Sequence, residues 1–296
     1  MRKPSRRSQT AVAIVFAAVA GLAGCDTSDG HGATPRGSTA RPQPTPAWNR
    51  SPDSVAAVGD SITRGFDACT VLSDCPEVSW ATGSDSDVDS LAVRLLGAAG
   101  AAERSWNFAV TGARMTDLPE QMTQAAAKKP ELVTVMVGAN DACRTSTSAM
   151  TSVADFRARF QDAMDTLRKS LPRTQVYVSS VPDLKQLWSQ GRTNPLGKQV
   201  WKLGICPSML ADADTLDAAA TKRRDTVQAR VEAYNGVLRE VCAKDQRCRF
   251  DGNAVFDYRF GPDQLSHWDW FHPSRDGQAR LAEIAYRTVT AKKPVT

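Results

Sequence analysis

Histidine is nearly absent from this chain of 296 residues: there are three, His31, His267 and His272. A zinc site therefore has few imidazoles to draw on, and no Cys-x-x-Cys pair offers thiolates instead. Neither a metal nor another cofactor is expected. The chain also lacks a hydrophobic run long enough to span a bilayer, because Ala11 to Ala20 is only half of the ~20 apolar residues a spanning helix needs. An excess of one charge is missing too. The formal net charge of +5 comes mainly from Arg2, Lys3, Arg6 and Arg7; without them 33 basic residues face 32 acidic ones. That balance gives no support to nucleic-acid binding, which needs a basic face. There are no internal repeats. What remains, 42% hydrophobic residues over this length, suits a globular protein with a sizeable core, in one large domain or two small ones.

The N-terminus has a basic head, the apolar run and then Leu22-Ala23-Gly24-Cys25. This is the layout of an export signal. Its ending resembles the bacterial lipobox, so residues 1–24 are expected to be a lipoprotein signal peptide, with Cys25 the lipidated first residue of the mature chain. Ordinary secretion with an incidental Cys25 is the alternative. Arg6-Arg7 also resembles part of a twin-arginine signal, leaving the export route open. Residues 25–52 are rich in Gly, Ser, Thr and Pro and read as a tether, which places His31 outside any ordered site. The expected location is the outer face of the bacterial cytoplasmic membrane, or outside the cell, with membrane contact only through the anchor.

Setting Cys25 aside leaves Cys69, Cys75, Cys143, Cys206, Cys242 and Cys248. An even number in an exported chain points to disulfides. Six cysteines allow 15 pairings, and the sequence does not choose among them. Our working expectation is Cys69 with Cys75, Cys143 with Cys206, and Cys242 with Cys248.

From Ser54 onward short apolar runs alternate with helical periodicity. Strands are expected at 54–58, 105–110, 131–137 and 175–181, and helices at 88–96, 118–128, 156–171, 221–243 and 275–289. Such alternation implies a parallel sheet with helices on both faces, in one domain over 53–296. Residues 182–220 break the pattern with Pro182, Pro195, Pro207, Trp188 and Trp201, and are expected to form an ordered cover beside the site.

The first strand runs into Gly59-Asp60-Ser61. Taken alone this is a turn sequence, but ligands of open α/β sheets bind beyond the carboxyl ends of the strands, where a nucleophile would stand. A serine needs a base to take its proton. His267 and His272 are the candidates, and only His272 has an acid three residues before it, Asp269, able to fix its tautomer. Donors for a developing oxyanion are available at two further strand ends, the Gly112 backbone and the Asn140 side chain. Asp60 and Asp141, though next to these groups, are expected to make structural hydrogen bonds to loop amides. Trp268, Trp270 and Phe271 either wall a pocket or anchor the loop.

Taken in order, Gly59-Asp60-Ser61, Gly112, Gly138-x-Asn140-Asp141 and Asp269-x-x-His272 resemble the four blocks of the SGNH (GDSL) hydrolase family over residues 54–290. Ile62 stands where the family's name motif has leucine, with no consequence for the chemistry. The cysteines and the aromatic loop are most similar to the secreted phospholipase-B-like and lipase-like branch. The resemblance implies a three-layer α/β/α, flavodoxin-like fold. It also implies a Ser61–His272–Asp269 triad and an oxyanion hole of Ser61 N–H, Gly112 N–H and the Asn140 side chain. A small-molecule or lipid ester would be the substrate, and a monomer is expected. A carbohydrate acetylesterase uses the same machinery, and a ligand-binding lipoprotein on a degenerate hydrolase fold is the rival from another class.

Overall fold

A computed structural model describes residues 47–294. The expected signal peptide, Cys25, His31 and the tether up to residue 46 lie outside the described residues. Residues 47–52, also expected as tether, are held on the domain. Trp48 Nε1 donates to Val289 O at 2.8 Å, and the Arg249 guanidinium lies 4.3 Å over the Trp48 ring.

Five parallel strands form one sheet in the order β2-β1-β3-β4-β5: β1 Val55–Gly59, β2 Ser105–Asn107, β3 Leu132–Met136, β4 Gln175–Val178 and β5 Cys248–Phe250. Every residue of β1, β3 and β4 is buried, as expected of strands covered on both faces. Helices α2 (Leu91–Arg104) and α10 (Arg275–Thr290) pack together on one side. On the other lie α3 (Leu118–Ala127), α5 (Val153–Ser170) and α9 (Ala218–Cys242). This is the three-layer α/β/α arrangement, and right-handed crossovers account for it: β1 to β2 moves one way across the sheet and every later connection moves the other. The strand order therefore reverses between β1 and β3, and ligand sites form at such a reversal. Ser61 follows β1, and Asn140, in the short helix α4 (Ala139–Ala142), follows β3.

Three departures from the sequence reading have identifiable causes. The helix expected over 88–96 starts at Leu91, because Ser90 caps it through Val93 N, and continues past a break at Gly97 to Arg104. β5 went unread because it has three residues and its centre is Arg249, which is buried only because it donates to Thr288 O and Ala291 O at the end of α10. Pro195 and Pro207 begin helices rather than break them, and Pro182 stands just ahead of a helix cap. Asp183 caps α6 (Leu184–Gly191), Asn194 caps α7 (Pro195–Trp201) with Pro195 first, and Pro207 opens α8 (Pro207–Leu210).

The disulfides pair as expected: Cys69–Cys75, Cys143–Cys206 and Cys242–Cys248. The second spans 63 residues and ties the segment after Asn140 to the cover.

Candidate active site

The site begins where β1 stops. Gly59 has φ 152°, and a Cβ there would sit 2.2 Å from Met136 O of β3, so a side chain is excluded by backbone contact. The turn that follows places Ser61, itself buried, at the first position of the short helix α1 (Ser61–Arg64). Asp60 caps that helix, accepting from Ile62 N at 3.0 Å. Its other carboxylate oxygen is buried without a partner, and burial, only partly offset by the Ile62 hydrogen bond, pushes its pKa up to about 7. Asp141 serves similarly: it accepts from Met115 N at 2.8 Å, and burial raises its pKa. Both acids make structural hydrogen bonds, as the sequence suggested, though the amide Asp60 holds belongs to the first turn of α1.

Ser61 Oγ lies 2.9 Å from His272 Nε2, and His272 Nδ1 lies 2.5 Å from Asp269 Oδ2. Asp269 is fully buried, and its Oδ1 accepts from the N–H groups of Phe271 and His272, each at 2.9 Å. Burial alone would raise its pKa, yet the His272 charge and these hydrogen bonds hold it below the usual carboxylate value. For His272, burial opposes the imidazolium, but Asp269 first, then Asp67 and Asp60, outweigh it and leave the ring more basic than usual. His267 is exposed beside Trp268. The structure thus selects His272 of the two candidates.

The loop carrying Asp269 and His272 is fixed by the cover. Trp201 Nε1 donates to Asp269 O at 2.7 Å, and the Trp270 side chain packs on Gly197 of α7. Phe271 is buried in the core and Trp270 packs against it, so these two anchor the loop. Trp268 is half-buried. The phenyl ring of Phe66, on the segment after α1, lies 5.0 Å from the His272 ring.

The Gly112 turn reaches the same place. Val110 N donates to Gly59 O at 3.1 Å, and Asn140 Nδ2 donates to Ala113 O at 3.0 Å, leaving its second hydrogen free. Gly112 has φ 83°, and among the described residues no acceptor faces its N–H or that of Ser61. Beside Gly112 opens a cavity of about 360 Å³ bordered by Val110, Thr111, Asp117, Glu120 and Gln124.

Sequence reasoning missed three amides, Gln121 and Gln278 buried and Asn107 half-buried, that hold the nucleophile in place. Gln121 pairs with both polar groups of Gly59, at 2.7 and 3.0 Å. Asn107 Nδ2 donates to Thr63 O at 2.9 Å, while Gln278 donates to Ile62 O and accepts from Trp80 N. The available signal was an amide on an apolar helix face: Gln121 among Leu118, Met122 and Ala125, and Gln278 among Leu281, Ala282 and Ala285.

Comparison with known proteins follows the same blocks. Residues 55–285 match the family described as GDSL-like Lipase/Acylhydrolase. Human membrane-associated Phospholipase B1 is 29% identical in an alignment of 167 positions that covers 45% of this chain but only 11% of that protein. Among solved structures, a GDSL-like lipase from Parabacteroides merdae superposes with a TM-score of 0.51 at 18% identity, covering 84% of this chain and all of that one. Phospholipase A1 from Streptomyces albidoflavus gives 0.46 at 18%, covering 81% and 100%.

Proposed function

The chain belongs to the GDSL-like lipase/acylhydrolase family and is by that membership a carboxylic ester hydrolase; on that premise we propose an exported, lipid-anchored serine esterase that works through an acyl-enzyme on Ser61. The observation that carries the proposal is the unbroken line from Ser61 Oγ to His272 Nε2 and from His272 Nδ1 to Asp269 Oδ2. His272 takes the Ser61 proton as Oγ bonds to the ester carbonyl carbon, and Asp269 stabilises the imidazolium. The carbonyl oxygen, now negative, is met by the free N–H groups of Ser61 and Gly112 and the free Asn140 hydrogen. Imidazolium then protonates the departing alcohol oxygen, leaving the acyl group on Ser61. A water, deprotonated by His272, attacks that acyl carbon and releases the acid.

The cavity beside Gly112, about 360 Å³ with Val110 on its rim, is bordered by that oxyanion-hole glycine and not by the triad, and its size supports an ester carrying a short or medium chain. Its polar border, Thr111, Asp117, Glu120 and Gln124, favours a second reading, a carbohydrate acetylesterase. The assembled triad weighs against a merely binding lipoprotein. Export and anchoring rest on Leu22-Ala23-Gly24-Cys25, and three disulfides agree with an oxidising compartment. The test is hydrolysis of p-nitrophenyl esters from acetate to palmitate and of acetylated sugars, by wild type and Ser61→Ala. Activity confined to the wild type supports the esterase, and its chain-length optimum separates the two readings. Equal inertness of both folded proteins overturns it.

A further inference from the structure

One buried acid has no place in the mechanism above. Asp67 is 1% exposed, and its carboxylate, the Asp269 carboxylate and a His272 ring nitrogen all lie within 4.8 Å of one another. Asp67 Oδ1 accepts from Leu72 N, while Oδ2 is buried with no partner among the described residues.

The surroundings hold Asp67 there from three sides. Its N–H donates to Ser73 O at 3.0 Å, closing the segment that the Cys69–Cys75 disulfide also closes. Its carbonyl oxygen accepts from Ser266 Oγ at 2.6 Å, which binds it to the loop of the catalytic pair. Its backbone has φ 57°, a left-handed conformation that aspartate tolerates better than most residues. Arg64, the one cation of residues 61–75, is engaged with Asp74 at 3.1 Å and leaves Asp67 without a counter-charge of its own.

We propose that Asp67 is a second carboxylate of the catalytic relay, a positioning residue that acts on His272 from beside Asp269. The proposal rests on the esterase reading for its consequence in turnover, but not for its electrostatics. Two carboxylates this close in a buried site do not both ionise freely. When Asp67 holds a proton it donates to Asp269 and draws charge away from the imidazole's partner. When ionised it places a second negative charge against the imidazolium that forms as Ser61 gives up its proton. Burial first, and then the Asp269 charge, raise the Asp67 pKa to about 6. The groups bearing on Asp67 are Asp269 and His272; those bearing on His272 are Asp269, Asp67 and Asp60. Protons therefore enter a coupled cluster, and the acid limb of the rate profile belongs to that cluster rather than to His272 alone.

The test is Asp67→Asn in the full chain in detergent. Asparagine keeps an acceptor for Leu72 N, a donor toward Asp269 and tolerance of the left-handed backbone, so only the charge is removed. We expect the acid limb of kcat/KM to move down by about 1–2 pH units and plateau kcat to fall by about 3–10-fold, as a weaker base requires. The same shift is to be read directly on the His272 ring by NMR titration, which three histidines per chain make assignable. An unchanged His272 midpoint in the variant overturns the proposal, as does a loss of kcat that follows thermal stability with no shift of the limb. Because the ring titration needs no substrate, it decides the role of Asp67 even if no ester is hydrolysed. If the variant fails to fold, Asp60→Asn decides, because it removes the other titrating acid that bears on the ring: two inflections in its His272 ring shifts support the relay, and a single inflection overturns it.

Discussion

Replacing Asp269 by asparagine should disable the enzyme while leaving its fold intact, and the hydrogen bonds show why. Asp269 Oδ1 accepts two backbone N–H groups at 2.9 Å, and Oδ2 accepts the His272 Nδ1 proton at 2.5 Å. In Asp269→Asn the amide oxygen must take the Oδ1 place, because two donors point at it. The NH2 group is then forced toward Nδ1, which can only accept. The imidazole proton moves to Nε2, and Ser61 Oγ, 2.9 Å away, faces a donor instead of a base. A serine hydrolase with the wrong tautomer loses about 10⁴-fold in kcat, or ~5.5 kcal/mol of barrier at ~1.36 kcal/mol per decade. The assay is ester turnover alongside circular-dichroism melting. A folded variant retaining more than a tenth of wild-type kcat would refute the reasoning, because the tautomer would then not be set by Asp269.

Three further outcomes are expected. Asn140→Ala should lower kcat by about 10²–10³-fold with little change in KM, the size of one lost oxyanion donor; an unchanged kcat on the ester panel removes Asn140 from the site. Cys143→Ser with Cys206→Ser should cost about 4 kcal/mol in denaturant melts, against about 2 for either six-residue loop, because unfolded-chain entropy grows with the residues enclosed; equal losses for all three contradict that account. Asp60 binds its proton more tightly folded than unfolded, with a pKa of about 7 against 3.8, so the stability it contributes is present below about pH 4 and is lost as pH rises through about 7. Asp60→Asn stays neutral and keeps its hydrogen bond, so it should match wild type at pH 4 and exceed it at pH 8; a difference independent of pH refutes the burial argument.

Much of this was legible because the site sits at strand ends. The runs Val55–Val58 and Leu132–Val137 are apolar but for Thr134, as buried parallel strands tend to be, and each leads into a glycine and then a polar residue that the fold turns into chemistry. Scarcity helped as well, since three histidines left a choice between His267 and His272. The elements that escaped reading depend on partners far away in sequence. Arg249 makes β5 look polar until the carbonyls ending α10 are known. Gln121 is legible as an anomaly on an apolar face, but its partner Gly59 lies 62 residues away. Asp67 gave no signal at all: its meaning arises only when the loop of 265–273 folds back over it, 199 residues later at Ser266.

The most direct test of the central claim is covalent trapping. Wild type, Ser61→Ala and His272→Ala are treated with a fluorophosphonate, digested and analysed by mass spectrometry. The account predicts one stoichiometric adduct on the peptide containing Ser61, absent from Ser61→Ala and formed far more slowly in His272→Ala. An adduct on another serine, or an enzyme that hydrolyses esters yet leaves Ser61 unlabelled, would contradict it.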